Sequence, residues 1–546
     1  MSTFEVKKRD GLARIAVYSR GEQEIRLPCA MDTEILFPDL ADRAFSNVPL
    51  AAPQSFASAW LSPGKDQPVL VHPAIPPSVS SGDCVMAGNW NSVLDNPRGY
   101  TDWLVRLKEQ IPSDSAWYAP GAALPSNVHL LCYSGFDLFD FIAVDLQTAR
   151  HRFCLPEGEF PASVMDTGVC GCTGCRDGDL GMHNRLALQR ELGLVSYFIG
   201  DQQLREFVEA RSRMHAAHVA ILRHLDRHYP FLEQHLPVAR ACRLGAMSGE
   251  ALKRPEVVRF ADRVLHRYLP PAADVAVLLP CSARKPYSAS QSHRKFAEAI
   301  GGRALELIVT SPLGLVPREI ERIYPAAHYD IPVTGYWDHE ERYQITRTLV
   351  RYFTRHPYRR VIAHLDGDAR IIAQDAADQA GFEIEFSCRS ERLTDHNSLQ
   401  ALSETLAGER KVKSHLVRGM ISFQFGYDLK VPNLEVKGSY PDQVVKRGRI
   451  LYFTTNPSLG MLRPTFDGWS LIETGYRVYI DDFVPQGDIL APGVIDADPV
   501  IRPGDEVLVI GDKAMATGRA VMSADEMVRS SRGIAVRVRK VKKLDG

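Results

Sequence analysis

The chain has 546 residues, 45% hydrophobic and 24% charged, with a formal net charge of −1. It is too long for one ordinary core, so three or four globular domains are expected, and the neutral charge excludes a uniformly basic nucleic-acid binder while leaving room for local basic patches. No apolar run reaches membrane-spanning length, the N-terminus lacks the layout of a signal peptide, and ten cysteines, three of them crowded together, point to a reducing, cytoplasmic setting with a metal site.

In chain order, Phe4–Lys7 and Ala13–Tyr18 predict an opening β-hairpin about Asp10-Gly11. Pro68–His72 reads as a strand, Tyr100–Lys108 as a helix, and Val128–Tyr133 as a buried strand running into Ser134–Asp140. Strands alternating with helices imply a parallel α/β arrangement, part of a barrel, with Asp137 and Asp140 at a strand's carboxyl end. A capping or turn role suits Asp137.

Cys170, Cys172 and Cys175 sit in a glycine-broken loop, and His183 opens the helix that follows. Glycine lets the backbone fold tightly enough for three thiolates to converge, and the imidazole completes a tetrahedral set. The ligand set is closed, so the expected cofactor is structural zinc. The histidines from His215 to His235 have no cysteine companions and are expected on solvated helix faces.

The opening Phe4–Lys7, the Gly135–Asp140 turn, the Cys-x-Cys-x-x-Cys cluster with His183-Asn184, and Leu204–Arg211 together resemble the tRNA-guanine transglycosylase superfamily. The resemblance implies that Cys170, Cys172, Cys175 and His183 are zinc ligands and aligns Asp140 with the family nucleophile. The gap from Cys175 to His183 is shorter than in the exchanging enzymes. The N-terminal part is too short for their full barrel, and no stretch matches their guanine-gripping segment. The implied fold is a degenerate, partial α/β barrel with a zinc site.

The stretch Pro280–His293 lies between an apolar run, Val275–Leu279, and a helical segment, His293–Ile300, that stops at Gly301-Gly302. Loops at strand carboxyl ends are where α/β folds place their sites. Ser288 or Ser290 can cap the helix, and its positive end, with Arg284 and Lys285, is expected to favour the Cys281 thiolate. Further strands are read at Leu305–Thr310, His328–Val333 and Arg360–Leu365. They end in polar loops at Thr310–Gly314, Gly335–Asp338 and Asp366–Asp368 that predict a pocket in a three-layer α/β domain.

The pattern Pro280-Cys281-x-x-x-Lys285-Pro286-Tyr287-x-x-Ser290-x-x-His293 resembles the archaeosine synthase family. That resemblance implies tRNA carrying 7-cyano-7-deazaguanine at position 15 as substrate. It further implies addition of free lysine across the nitrile to give an amidine-linked adduct, and a radical-SAM partner protein that cleaves the adduct. A nitrile carbon is a weak electrophile, so Cys281 as nucleophile would divide the reaction into two easier steps. Lys285, Tyr287 and His293 are candidates for proton transfer, Ser290 completes the candidate catalytic set, and Asp338 or Asp366 is suited to hold the amino acid's ammonium group. Direct attack by the amine, base exchange and a non-catalytic tRNA-binding scaffold stand as alternatives.

Residues 396–470 resemble the small α+β domain of archaeal transglycosylases, and the strand-rich text from 471 resembles a PUA domain, an RNA-binding β-barrel. In Val536–Val541 alternation points Arg537 and Arg539 outward, toward phosphate. The expected domains are therefore 1–250, 251–395, 396–470 and 471–546, in a chain that works without a membrane and pairs as a homodimer.

Overall fold

The computed structural model of the chain describes residues 2–32, 35, 37, 54–55, 68–72, 78–87, 96–332, 336–388, 392–412, 416–429, 434–438 and 442–544. The chain forms two compact units, one of residues 1–237 with 478–546 and one of residues 238–477.

In the first unit the predicted hairpin is present, Ser2–Asp10 against Ala13–Arg20, and Gln23–Leu27 adds a third antiparallel strand. Gly11 takes the left-handed conformation the turn requires. Beside it lies a parallel sheet in the order Cys29–Ala30, Leu138–Phe139, Ala116–Ala119, Cys84–Ala87, Val69–Val71. Its apolar face packs on the helix Pro97–Gln110, which buries Tyr100, Trp103, Leu104 and Leu107, and on helices further along the chain.

One element departs from the reading of the sequence. Val128–Tyr133 is a helix, not a strand. Val128 through Cys132 are all buried, so the segment carries no polar face whose period would reveal a helix. Asp137 neither caps nor turns: it is fully buried, ion-paired through both oxygens to Arg14, and accepts the Trp117 amide at 2.9 Å.

Downstream, the hairpin Arg152–Leu155/Gly158–Pro161 precedes the helices Leu180–Asp201, Leu204–Ser212, Ala216–Arg227 and Tyr229–His235. Arg205 is buried on the second of these and pairs with Glu209 at 2.6 Å and Asp226 at 2.6 and 2.8 Å. Removing one partner of such a buried pair costs about 3–5 kcal/mol, because a charge is left unmatched. Of the histidines from His215 to His235, His218 departs from the expected solvated face, while His215, His224, His228 and His235 are half-buried. His218 is buried against His129 and His215, ring centroids 5.9 and 4.7 Å away, and burial lowers its pKa to about 4.

The C-terminal part of this unit is a six-stranded, barrel-like sheet in the order Ile489–Leu490, Ile534–Lys543, Ala514–Ala520, Glu506–Ile510, Arg477–Ile480, Val494–Ala497. It is fastened to the N-terminal part by Arg9–Glu526 at 2.6 Å, Arg502–Glu233 at 2.5 Å and the Ser531 amide on Asp114 at 2.8 Å.

The second unit is built on a five-stranded sheet in the order Gly314–Pro317, Leu305–Thr310, Val275–Pro280, Arg360–Ala363, Ile384–Phe386. All neighbours are parallel except Gly314–Pro317, which returns antiparallel. Val275, Val277 and Leu279 point toward the helices Gln291–Ile300 and His396–Thr405, whose Phe296, Ile300 and Leu402 share their core. Helices Pro255–His266, His339–Arg355 and Gly367–Ala380 complete the helical content around the sheet. The strand predicted at His328–Val333 is reduced to Tyr329–Asp330, paired with Leu244–Gly245, and Val333 lies outside the described residues. A four-stranded antiparallel sheet, Glu435–Lys437, Val444–Arg447, Ile450–Thr455 and Leu462–Pro464, closes the unit with the helices Leu416–Phe425 and Phe466–Ser470. Among the described residues no helix is long and apolar enough to cross a membrane.

Candidate functional site

The four cysteine and histidine side chains singled out in the N-terminal half meet. The ligand atoms of Cys170, Cys172, Cys175 and His183 all lie within 4.8 Å of one another, with His183 Nδ1 3.4 Å from the Cys172 sulfur and 3.3 Å from that of Cys175. The other imidazole nitrogen, Nε2, donates to the Cys154 carbonyl at 3.0 Å, which leaves the Nδ1 lone pair free to face the sulfurs. The His183 ring is stacked on Phe153 at 3.8 Å. Neighbouring Asn184 ties the same hairpin down, accepting from the Cys154 amide at 2.8 Å and donating to the Arg152 carbonyl at 2.9 Å. Gly174 is required: a Cβ there would sit 2.4 Å from the backbone nitrogen of His183. Three thiols and an oriented imidazole at these separations fit a tetrahedral zinc ion.

Asp140 is 2% exposed and held from three sides, by the Tyr118 hydroxyl at 2.7 Å and the amides of Gly121 at 2.8 Å and Ile142 at 3.0 Å. Burial raises its pKa.

In the second unit Cys281 leaves the sheet at the carboxyl end of its central strand. Of the ten cysteines it alone is exposed. The chain runs from this strand to one neighbour, Leu305–Thr310, and later returns to the other, Arg360–Ala363, so the two carboxyl ends flank a switch point where open α/β sheets bind ligands. Leu278 pairs with Ala363, and Cys281 and Asp366 each follow three residues later, in the loops at the carboxyl ends of these two strands.

The loop is fixed by groups from other strands. Ser290 caps the helix Gln291–Ile300 by accepting the His293 amide at 3.3 Å. His293 is 1% exposed, with Nε2 donating to the Pro280 carbonyl at 3.0 Å and Nδ1 accepting from Arg318 at 2.8 Å. Burial, then the Arg318 charge, lowers its pKa to about 3. Arg318 also binds Glu306 at 2.6 Å and Glu321 at 2.7 Å, and Glu321 accepts the Ser288 amide at 3.0 Å. His293 is thus neutral and fully engaged, a brace for the loop.

Near the thiol, the Thr310 hydroxyl donates to the Ser311 carbonyl at 3.2 Å. Thr310 in turn lies 2.6 Å from the Tyr329 hydroxyl, which is 2.7 Å from that of Tyr287. Lys285 Nζ sits over the Tyr329 ring, 3.9 Å from its centroid. The expected depression of the thiol pKa is not met. The protein packed around Cys281 raises it, opposed by the Thr310 hydroxyl and the Lys285 charge. Desolvation lowers the Lys285 pKa, opposed by Cys281 and Asp330.

Asp338 is exposed and caps the helix His339–Arg355 in a reciprocal box with Glu341, at 2.8 and 2.9 Å. It lines a cavity of about 200 Å³ together with Met247, Leu252, Ser311, Tyr336 and Glu341. Gly335, at the start of that predicted loop, lies outside the described residues. Thr310 and Tyr329 were within predicted strands, but nothing in the sequence marks them as neighbours of Cys281, and Arg318 gives no local signal at all.

On the C-terminal sheet Arg537 and Arg539 do point outward, as alternation predicts, yet neither is a free cation. Arg537 lies 3.9 Å from Asp488 and Arg539 pairs with Glu506. Lys540, Lys542 and Lys543 are exposed alongside them.

A sequence profile for the PUA domain matches residues 476–542, and one described as a domain of unknown function (DUF5591) matches residues 257–406. Fold, cysteine cluster and terminal barrel thus define a transglycosylase-like, multidomain α/β protein that ends in a PUA domain. The archaeosine synthase subunit alpha of Methanosarcina acetivorans is 36% identical, covering 99% of both chains. The archaeosine synthase of Haloferax volcanii is 37% identical over 98% of this chain and 99% of its own. The tRNA-guanine(15) transglycosylase of Methanothermobacter thermautotrophicus is 26% identical over 81% of this chain and 68% of its own. The chain belongs to the archaeosine synthase family.

Proposed function

We propose that this protein acts in archaeosine biosynthesis by adding free lysine across the nitrile of 7-cyano-7-deazaguanine at position 15 of tRNA. The observation that carries the reading is a solvent-exposed thiol, Cys281, beside a desolvated lysine, Lys285, at the switch point of the central sheet. Lys285 takes the thiol proton, sulfur bonds to the nitrile carbon, and the π pair moves to nitrogen, which accepts a proton to give a thioimidate. The lysine amine then bonds to the same carbon and the C–S bond breaks. This leaves the amidine and returns the proton to Cys281. Proton transfer falls to Lys285, because His293 and Tyr287 are buried and hydrogen-bonded elsewhere. Ser290 and His293 hold the loop, while Asp338 on the cavity wall or Asp366 in the loop after Arg360–Ala363 receives the amino acid's ammonium group. Zinc at Cys170, Cys172, Cys175 and His183 stabilises the transglycosylase-like domain, and the PUA module with Arg537 and Arg539 engages tRNA phosphates. The working domains are 1–250, 251–395, 396–470 and 471–546. A radical-SAM partner consumes the adduct, and the setting is the cytoplasm, with a homodimer as the assembled form.

The test is to incubate purified full-length protein with L-lysine and tRNA carrying the cyano base and to analyse the nucleosides by mass spectrometry. A nucleoside heavier by one lysine is expected, and Cys281→Ala should give none. Absence of adduct from the wild-type protein would leave a tRNA-binding scaffold as the better account. Sustained turnover by Cys281→Ala would favour direct amine attack. Labelled free base with unmodified tRNA separates both from base exchange, which the confinement of Asp140 disfavours.

A further inference from the structure

Lys285 and Tyr287, two residues apart in the loop, grip the same ring from different sides. Lys285 Nζ lies over the face of Tyr329, 3.9 Å from its centroid, and the Tyr287 hydroxyl is 2.7 Å from the Tyr329 hydroxyl. Among the described residues no hydrogen bond or ion pair engages the Lys285 ammonium, so the ring is what it rests on. The ring is itself fixed. Tyr329 is 3% exposed and Tyr287 0%, and burial keeps both phenols protonated. A hydroxyl carries one proton. Thr310 gives its own to the Ser311 carbonyl at 3.2 Å, so it accepts from Tyr329 at 2.6 Å, and Tyr329 in turn accepts from Tyr287. The backbone adds a second hold, because Tyr329 pairs with Leu244 in a parallel bridge.

We infer that Tyr329 is the positioning residue for Lys285, holding its ammonium against an aromatic face in the Cys281 loop. The face of a phenol ring carries the negative end of its quadrupole, and a cation held there out of water is favoured over the neutral amine. When the thiol proton moves from sulfur to Nζ, the ring stabilises the cation that forms and keeps it in place. It works against desolvation, which disfavours the same charge. The other groups that act on Lys285 are Cys281 and Asp330, which favour the ammonium, and Arg243, which opposes it. The inference rests on the proton-transfer role proposed for Lys285, but its test does not require turnover.

The measurement is the pH profile of Lys285 reductive methylation by formaldehyde and cyanoborohydride in the full-length, tRNA-free protein, quantified on the Lys285 peptide by mass spectrometry. Only the neutral amine reacts, so the inflection follows Lys285, with exposed Lys295 as the internal reference. Tyr329→Phe and Tyr329→Leu both delete the hydroxyl, so the difference between them reads the ring alone. The inflection is expected to stay near that of the wild type in Tyr329→Phe. In Tyr329→Leu it should fall by about one pKa unit, which is about tenfold faster labelling at a pH below both inflections. Mono-, di- and trifluorophenylalanine at the same position keep the shape of the ring while withdrawing electron density from its face. They should lower the inflection in steps, and they keep the inference testable if Tyr329→Leu loses its fold, which hydrogen-exchange protection at Gln291–Ile300 reports. Equal inflections in folded Tyr329→Phe and Tyr329→Leu, or a flat fluorine series, overturn the inference. If the series descends but the wild type forms no lysine adduct, the placement of Lys285 stands and the nitrile reading falls. If the adduct forms and the series is flat, the nitrile reading stands and this inference falls.

Discussion

The protein handles sulfur in two opposite ways. In the cluster of Cys170, Cys172 and Cys175 the thiols turn inward on one imidazole, and every neighbour serves to fix geometry: the Cys154 carbonyl on His183, the Phe153 ring beneath it, Asn184 on the hairpin, and Gly174 where no Cβ fits. At Cys281 a single thiol is left exposed, and its neighbours bear on its charge: an ammonium from Lys285, and surroundings that resist ionisation. The first arrangement gathers its sulfurs where one metal ion could be held. The second leaves its sulfur open to solvent. Exposure and the kind of neighbour separate the two, not the residue type.

The largest effect that can sharpen this contrast is expected at the cluster. Cys172→Ala or His183→Ala should drop metal content from about one ion per chain to none and unfold the surrounding helices, since structural zinc contributes on the order of 10 kcal/mol to such folds. Metal analysis and circular dichroism report both changes, and full metal retention in a Cys170→Ala/Cys172→Ala variant would dissolve the distinction. Next in size, Lys285→Met should keep zinc and fold while lowering the rate of adduct formation by about 10²–10⁴-fold, the usual worth of a positioned acid or base. A loss of zinc in that variant would mean that the two sulfur sites are not independent.

Acid should weaken the brace of the Cys281 loop. His293 has a pKa of about 3 in the fold against 6.5 for an unperturbed imidazole. Below pH 6.5 the unfolded chain therefore binds a proton that the folded chain refuses, and stability falls as pH drops toward 3. Between pH 7 and 5 this amounts to roughly 2 kcal/mol. Protection factors at Gln291–Ile300, that is exchange rates divided into the intrinsic rate at each pH, should fall over that range in the wild type and less so in His293→Gln. The smallest effect is at the C-terminal sheet. Arg537→Glu should weaken tRNA binding a few-fold and lower its salt dependence by about one phosphate contact. Because Glu506 already neutralises Arg539, Arg539→Glu should not act through lost phosphate contact alone. Equal, purely electrostatic losses from both would show that this pairing does not persist on RNA.

The cluster was legible in the sequence because its ligands lie within fourteen residues of chain, Cys170 to His183, where spacing alone restricts geometry. The strands at Val275 and Leu305, the helix after Ser290 and the outward arginines were legible for the same reason, each being set by local pattern. What escaped was non-local or featureless. The groups around Cys281 and His293 arrive from Thr310, Arg318 and Tyr329, and their convergence depends on strand order. Val128–Tyr133 is buried all round and so offers no period by which to tell helix from strand. The raised thiol pKa is a property of everything packed nearby, which no motif encodes.

The discontinuity of the first unit bears on how the polypeptide emerges during synthesis. Residues 238–477 are contiguous and can complete their contacts as soon as they clear the ribosome, whereas residues 1–237 must wait for 478–546. Until then Asp114 and Glu233 lack Ser531 and Arg502, and Arg9 lacks Glu526. The unit that carries Cys281 is therefore the first to mature, and the unit that carries the cysteine–histidine cluster stays unfinished until the last strands are made. Premature termination or proteolytic clipping near the C-terminus would accordingly harm the segment made first, and spare the one made in between.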